Sequence, residues 1–419
     1  MRADCILENI GELATPVGPA PATGGRMSEL RMIADAVIAS ESGRIVYAGP
    51  ARDAGSITLT GPGIRVDAGG RAVIPGFVDS HTHLPFAGDR SAEFLMRMQG
   101  RSYQEIAAAG GGIINTVRAT REATEDALYE ASRARLDRML LHGTTTTEAK
   151  SGYGLELEAE LKQLRVLRRL ATCHPVDIIP TCMCAHDFPP EYRERRDEYV
   201  RAICDEILPE VSRQKLAEFF DVFVERGVYT VEQGERVCRC ASGLGFGVKV
   251  HADELADTGG AALAAAVGAV SAEHLLFVSE EGIKRLAAAR VVATLLPCVP
   301  LFLMMDQYAP ARRMIEQGVA VAIATDLNPG SSNTESMPLV IQLACLKMRL
   351  SIEEALTAAT LNAAHGIRRA HAVGSLEPGK SMDAIILEAR SFVDLVYHLG
   401  VNPVRTVIKR GKVVAGSPS

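Results

Sequence analysis

An α/β architecture, a (β/α)8 TIM barrel carrying a small β-sandwich built from both chain ends, is what this 419-residue sequence predicts. Two features point to it. Through the middle of the chain, eight apolar runs of strand length alternate with longer segments of helical period, the texture of βα units closing into a barrel. Short, glycine-punctuated strand-like pieces fill the N-terminal stretch and return at the C-terminus, so one sandwich fed from both ends is the simplest arrangement. The expected limits are 1–71 for the first part of the sandwich, 72–370 for the barrel and 371–419 for the remainder.

The elements follow in chain order. ADAVIAS and GRIVYAGP are early strand pieces. The barrel runs are VIPGFVDSHTH, TTTTEAK, DIIPTCMCAH, FFDVFVE, FGVKVHADE, AVSAEHL, VVATLLPC and VAIATD. Helical segments such as ATEDALYEASRARLDRMLLHG separate them, and the link between the fifth and sixth runs, ADTGGAALAAAVG, is brief. After the eighth run SIEEALTAATLNAAHGI is helical, and SLEPGKSMDAIILEA and PVRTVIKRGKVVAG return to short strands. Neither a low-complexity segment nor a solenoid repeat interrupts the pattern.

Composition narrows the class. With 47% hydrophobic and 23% charged residues, the chain resembles an ordinary globular enzyme. Lys and Arg total 45 against 51 Asp and Glu, a net charge of −6, and no basic block could track a phosphate backbone, so nucleic acid is not an expected partner. Asp4 and Glu8 break what would be the apolar core of a secretory signal. The most apolar stretch, Gly259 to Val270, is mostly alanine and glycine and falls short of the roughly 20 residues of a membrane span. A cytoplasmic location away from the membrane is therefore expected. Nine cysteines, an odd number, argue for reduced thiols, and the pairs Cys182/Cys184 and Cys238/Cys240 are poorly spaced for metal.

In such a barrel the active site lies at the C-terminal ends of the strands. His81 and His83 end the first run, Glu148 the second, His186 the third, Glu225 the fourth, His251 and Glu254 the fifth, His274 the sixth and Asp326 the eighth. A single histidine at a strand end is more often a hydrogen-bonded structural residue, and that reading is kept for His142, His174, His365, His371 and His398. The recurrence at one end changes the balance. His81 and His83 stand two apart, so on an extended strand both imidazoles face one side. Three histidines and a carboxylate, His81, His83, His251 and Asp326, suit one zinc or iron ion per subunit, with an open position for water. Water at such an ion drops in pKa from about 15.7 to about 7, which predicts a hydrolase using metal-bound hydroxide. One ion is expected rather than two, because FFDVFVE offers no lysine to bridge a pair; Lys150 lies in another strand, and Lys249 is expected to point outward between barrel and helix.

PGFVDSHTH with a distal HADE, an EH pair and a late TD resembles the metal-dependent amidohydrolase superfamily over nearly the whole chain. FAGDR, GGGI, TTTTEAKSGYGL, KVHADE, SAEHL, LLP and ATDLNPGSS, in that order, resemble more narrowly its imidazolonepropionase family, KSGYG and DLNPGSS being the most specific pieces. Pro85, Ala87 and Glu273 depart from the usual pattern without removing a proposed ligand. The resemblance implies opening of a cyclic amide, that of 4-imidazolone-5-propanoate, and the same four metal ligands. It further implies that Glu254 contacts the substrate ring and handles water or a proton, that His274 holds the nucleophile or oxyanion, and that Asp326 doubles as general base. Arg90 would hold the substrate's carboxylate tail with its planar fork, the competing reading being a surface pair with Asp89. Tyr103, Tyr153, His186, Asn328, Gly330 and Ser331 match other substrate-contacting positions, and Gly110 to Gly112 reads as a loop over the barrel mouth.

A nucleobase or related heterocycle deaminase is the rival enzyme, and a non-catalytic barrel scaffold the rival of another class. Of these readings, only opening of the propionate-bearing cyclic amide needs Arg90 in the pocket. A homodimer is expected, symmetric dimers being the commonest oligomers.

Overall fold

The computed structural model describes residues 1–101, 105 and 111–416 and arranges their strands in two eight-stranded sheets. The first sheet draws on both chain ends. Its order is Lys412–Gly416, Val404–Lys409, Ala384–Leu387, Ala72–Pro75, Arg2–Pro16, Leu30–Glu41 and Arg44–Pro50, with Thr58–Asp67 paired in parallel to Arg2–Pro16. Arg2–Pro16 is longer than the short pieces expected there. A bulge between Leu7 and Ile10, with Asn9 in the left-handed region at φ 54°, lets one long strand keep Cys5, Leu7, Ile10 and Leu13 in the core. The same apolar cluster takes Leu376, Met382, Ala384, Ile386 and Ile408 from the far end of the chain. Neither end could bury that cluster alone, which is the physical reason that the sandwich needs both.

The second sheet is a parallel barrel. Its strands, Phe77–Asp79, Thr144–Lys150, Asp177–Ala185, Phe219–Val224, Gly247–Ala252, Ser271–His274, Val292–Leu295 and Val321–Ile323, neighbour one another in chain order and fall within the eight expected runs. The leading VIP of the first run pairs in the other sheet, and the chain crosses at Gly76, where a Cβ would meet Thr145 Oγ1 at 2.4 Å. Helices cover the outside. Glu125–Leu141 starts at Thr124, which accepts from Ala127 N at 3.1 Å, and buries Leu128, Leu136 and Met139; Val231–Gly243 starts at a capping box of Thr230 and Gln233.

Closure happens just beyond the first and last strands. Asp326 N donates to His81 O at 3.0 Å, and His83 N donates to Leu327 O at 3.0 Å. The backbone that seals the barrel therefore belongs to the residues proposed to hold an ion. All nine cysteines are free, and no helix among the described residues is long and apolar enough to cross a membrane.

Candidate functional site

The strand ends open into a cavity of about 960 Å³, within the usual range for small-molecule sites, whose wall includes His83, Arg90, Tyr153, His251, His274 and Asp326. Four donor atoms converge at its floor. Asp326 Oδ1 lies 3.2 Å from His81 Nε2 and 3.3 Å from His83 Nε2, and the Nε2 atoms of His83 and His251 are 3.4 Å apart. Donors each 2.0–2.1 Å from one ion sit roughly 3.3–3.4 Å from their neighbours around it, so these three edges suit a shared divalent ion. His81 Nε2 and Asp326 Oδ1 are buried and have no hydrogen-bond partner among the described residues.

The imidazoles are aimed from behind. Asp221 Oδ1 receives His251 Nδ1 at 3.0 Å, and Glu273 holds His81 Nδ1 in the same way. A proton fixed on Nδ1 leaves the Nε2 lone pair facing the cavity. Burial, reinforced by the charges of Lys150 and neighbouring histidines, holds His81 and His83 well below the usual imidazole range, so both are neutral donors at pH 7.

Beneath them lies a charged layer that sequence reasoning missed. Lys150 Nζ sits 2.6 Å from Glu148 Oε1 and 2.9 Å from Asp221 Oδ2, all fully buried. Burial opposes the lysine's charge, yet Asp221, Glu148 and Glu273 outweigh it and raise its pKa. Lys249 corrects an expectation: it points into the barrel, 3.3 Å from Ser80 O and 3.4 Å from Glu273 Oε1. The reason is strand parity. Lys249 and His251 are two apart and share a face, and that alternation was the signal that could have found the layer.

Around the cavity, Glu254 Oε1 approaches His274 Nδ1 at 3.6 Å. Burial, then the charges of Asp326 and Glu225, pushes the Glu254 carboxyl up to about 8, and burial pushes Asp326 up to about 7. Two buried carboxylates set the Glu254 loop. Glu225 accepts from Leu255 N at 2.8 Å, and Asp253, at φ 49°, accepts from Thr258 N, Gly260 N and Ala261 N at 3.0–3.1 Å.

His186 stacks on His83 with centroids 4.9 Å apart, and Tyr153 lies 5.3 Å from His186. Asn328 bonds Asp326 Oδ2 through Nδ2 at 3.0 Å and accepts from Gly330 N and Ser331 N at 2.8 Å, making a tight turn beside that carboxylate. Arg90 turns away from Asp89, which accepts from Ser91 instead; its Nε and Nη2 donate to Glu93 Oε2 at 2.8 and 2.7 Å. The surface-pair reading of Arg90 with Asp89 is thereby corrected, since Glu93 lies one helical turn on. Gly112 lines the cavity, whereas Tyr103 and Gly110 lie outside the described residues.

Residues 72–414 match the model of the amidohydrolase family. The chain belongs to the amidohydrolase family. Among curated amidohydrolase relatives, the imidazolonepropionase of Symbiobacterium thermophilum is 52% identical over 413 residues, covering 98% of this chain and 97% of its own. That of Geobacillus kaustophilus is 52% identical over 94% of this chain and 93% of its own. Solved amidohydrolase-like structures share the fold at lower identity. An adenosine deaminase from Xanthomonas campestris with bound zinc has a TM-score of 0.73 at 21% identity, covering 98% of this chain and 93% of that one. Guanine deaminase of E. coli has a TM-score of 0.71 at 16%, covering 99% of each. This amidohydrolase is a hydrolase with a histidine and aspartate cluster able to hold a divalent ion.

Proposed function

We propose that the chain hydrolyses the cyclic amide of 4-imidazolone-5-propanoate to N-formimidoyl-L-glutamate, a step of L-histidine degradation in the cytoplasm. One observation carries the reading: His83, His251 and Asp326 bring donor atoms together on the wall of the same cavity as Arg90, and His81 Nε2 lies 3.2 Å from Asp326 Oδ1, so a hydrolytic centre and a carboxylate receptor face the same space. The two relatives at 52% identity, both imidazolonepropionases, agree with it.

His81, His83, His251 and Asp326 would hold one zinc or iron ion, since both metals suit imidazole with one carboxylate. Bound there, the ion supplies Lewis acidity, which brings a water's pKa from about 15.7 toward about 7. The remaining work belongs to side chains. Asp326, a carboxylate at the edge of the cavity, accepts a proton as a water attacks the ring carbonyl. Glu254, whose pKa of about 8 keeps it protonated at neutral pH, gives its proton to the ring nitrogen as the carbon–nitrogen bond breaks. Neutral His274 donates a hydrogen bond to the developing oxyanion. Tyr153 and His186 flank the ring, Arg90 binds the carboxylate tail, and the turn of Asn328, Gly330 and Ser331 braces Asp326.

The test is loss of the imidazolone ultraviolet band on adding purified enzyme, with formimidoylglutamate measured as product. Arg90→Ala is expected to lower kcat/KM by about 10- to 100-fold, mainly through KM. Persistence of the band, with ammonia released from a nucleobase instead, would replace this reading by the deaminase. A homodimer is also proposed; exposed Leu346, Val393, Tyr397 and Leu399 offer an apolar face, and light scattering at twice the chain mass is the expected result.

A further inference from the structure

The helix Ser91–Met98 follows Arg90 and carries a second cation toward the cavity. Arg90, Glu93 and Arg97 are spaced three and four apart, so they share one helical face. Glu93 is spent on other partners. Its Oε2 takes both bonds from Arg90, and its Oε1 accepts from Gly112 N at 3.0 Å. Arg97 Nη2 reaches only Gly330 O, at 3.4 Å, and its Nη1 is buried with no hydrogen-bond partner among the described residues.

Two guanidinium groups beside one carboxylate leave a formal excess of one positive charge. Burial and the like charge of Arg90 lower the Arg97 pKa, while Glu93 partly offsets them. Glu93 occupies the Nε and Nη2 side of Arg90, so an incoming anion meets the Nη1 side, which lies over Gly330. That side and Arg97 are brought together by the same glycine, because Arg97 bonds its carbonyl oxygen.

We propose that Arg97 is a second specificity-determining residue, receiving the substrate's carboxylate jointly with Arg90 while Glu93 positions Arg90 from behind. The inference rests on a carboxylate-bearing substrate as proposed above. It explains why a buried helix carboxylate is needed: without Glu93 the two cations would repel across the pocket.

The test is calorimetric binding of 3-(imidazol-4-yl)propanoate and of its neutral carboxamide to the metal-loaded wild type, Arg97→Met and Arg97→Lys, with imidazolone kinetics alongside. The wild type should prefer the acid. Arg97→Met should weaken the acid on the order of 10- to 100-fold and leave the amide within about twofold, with Arg97→Lys recovering part of the loss. Turnover should show a raised KM and a kcat changed far less. Equal weakening of acid and amide, or no weakening of either, overturns the role of Arg97. If the wild type leaves the imidazolone intact while Arg97→Met still abolishes the preference for the acid, the reaction fails and the anion site stands.

Discussion

Residue 330 has no side chain, and the proposed carboxylate receptor depends on that. A Cβ there would lie 2.0 Å from Arg90 Nη1, with Gly330 N already committed to Asn328. Gly330→Ala should therefore push the guanidinium aside and raise KM for the imidazolone by about tenfold, with little change in Tm. An unchanged KM would place the carboxylate elsewhere. Glu254 gives a second prediction at this scale. Its folded pKa of about 8 lies above the usual 4.5, so the folded state binds the extra proton. Its contribution to stability is full below about 4.5 and is lost as pH rises through about 8. In metal-stripped protein, Glu254→Gln should gain Tm relative to wild type across that window and hold the gain above it; a constant difference would show that Glu254 ionises freely.

At the scale of elements, period-two alternation decides what the barrel contains. Glu148 and Lys150 share the inner face of one strand, Lys249 and His251 that of another, so the proposed ligands stand on a buried ionic layer. Lys150→Met leaves Glu148 and Asp221 without their shared cation. The expected loss is about 3–5 kcal/mol, read from the urea midpoint, because uncompensated buried charge is costly. A neutral outcome would mean that the carboxylates protonate instead. This layer also marks where the sequence was legible. Each strand could be read from its own apolar run, and His81, His83, His251 and Asp326 from their places at strand ends. The ion pairs could not, because Lys150 and Asp221 come from strands with a whole βαβ crossover between them, and Lys249 was placed on the wrong face by one residue of parity. Arg90 is legible as a carboxylate receptor, but its partner Glu93 is set by the turn of the helix that follows and not by adjacency in sequence.

The whole molecule is tied together at the same place. Lys409 of the sandwich meets Asp383 and the barrel residue Asp177, each at 2.7 Å, which joins the two sheets away from the cavity. At the cavity, backbone bonds between His81 and Asp326 and between His83 and Leu327 seal the barrel, and side chains of those strand ends are the proposed ligands. An ion bound there is held by the first, fifth and eighth strands together, so its binding free energy should appear as stability of the entire fold. The most direct measurement is a titration of chelator-stripped enzyme with zinc or iron(II), following imidazolone turnover and Tm on the same samples. Both should rise together and level off at one equivalent per chain. Full activity in the stripped protein, or a plateau only at two equivalents, would contradict this.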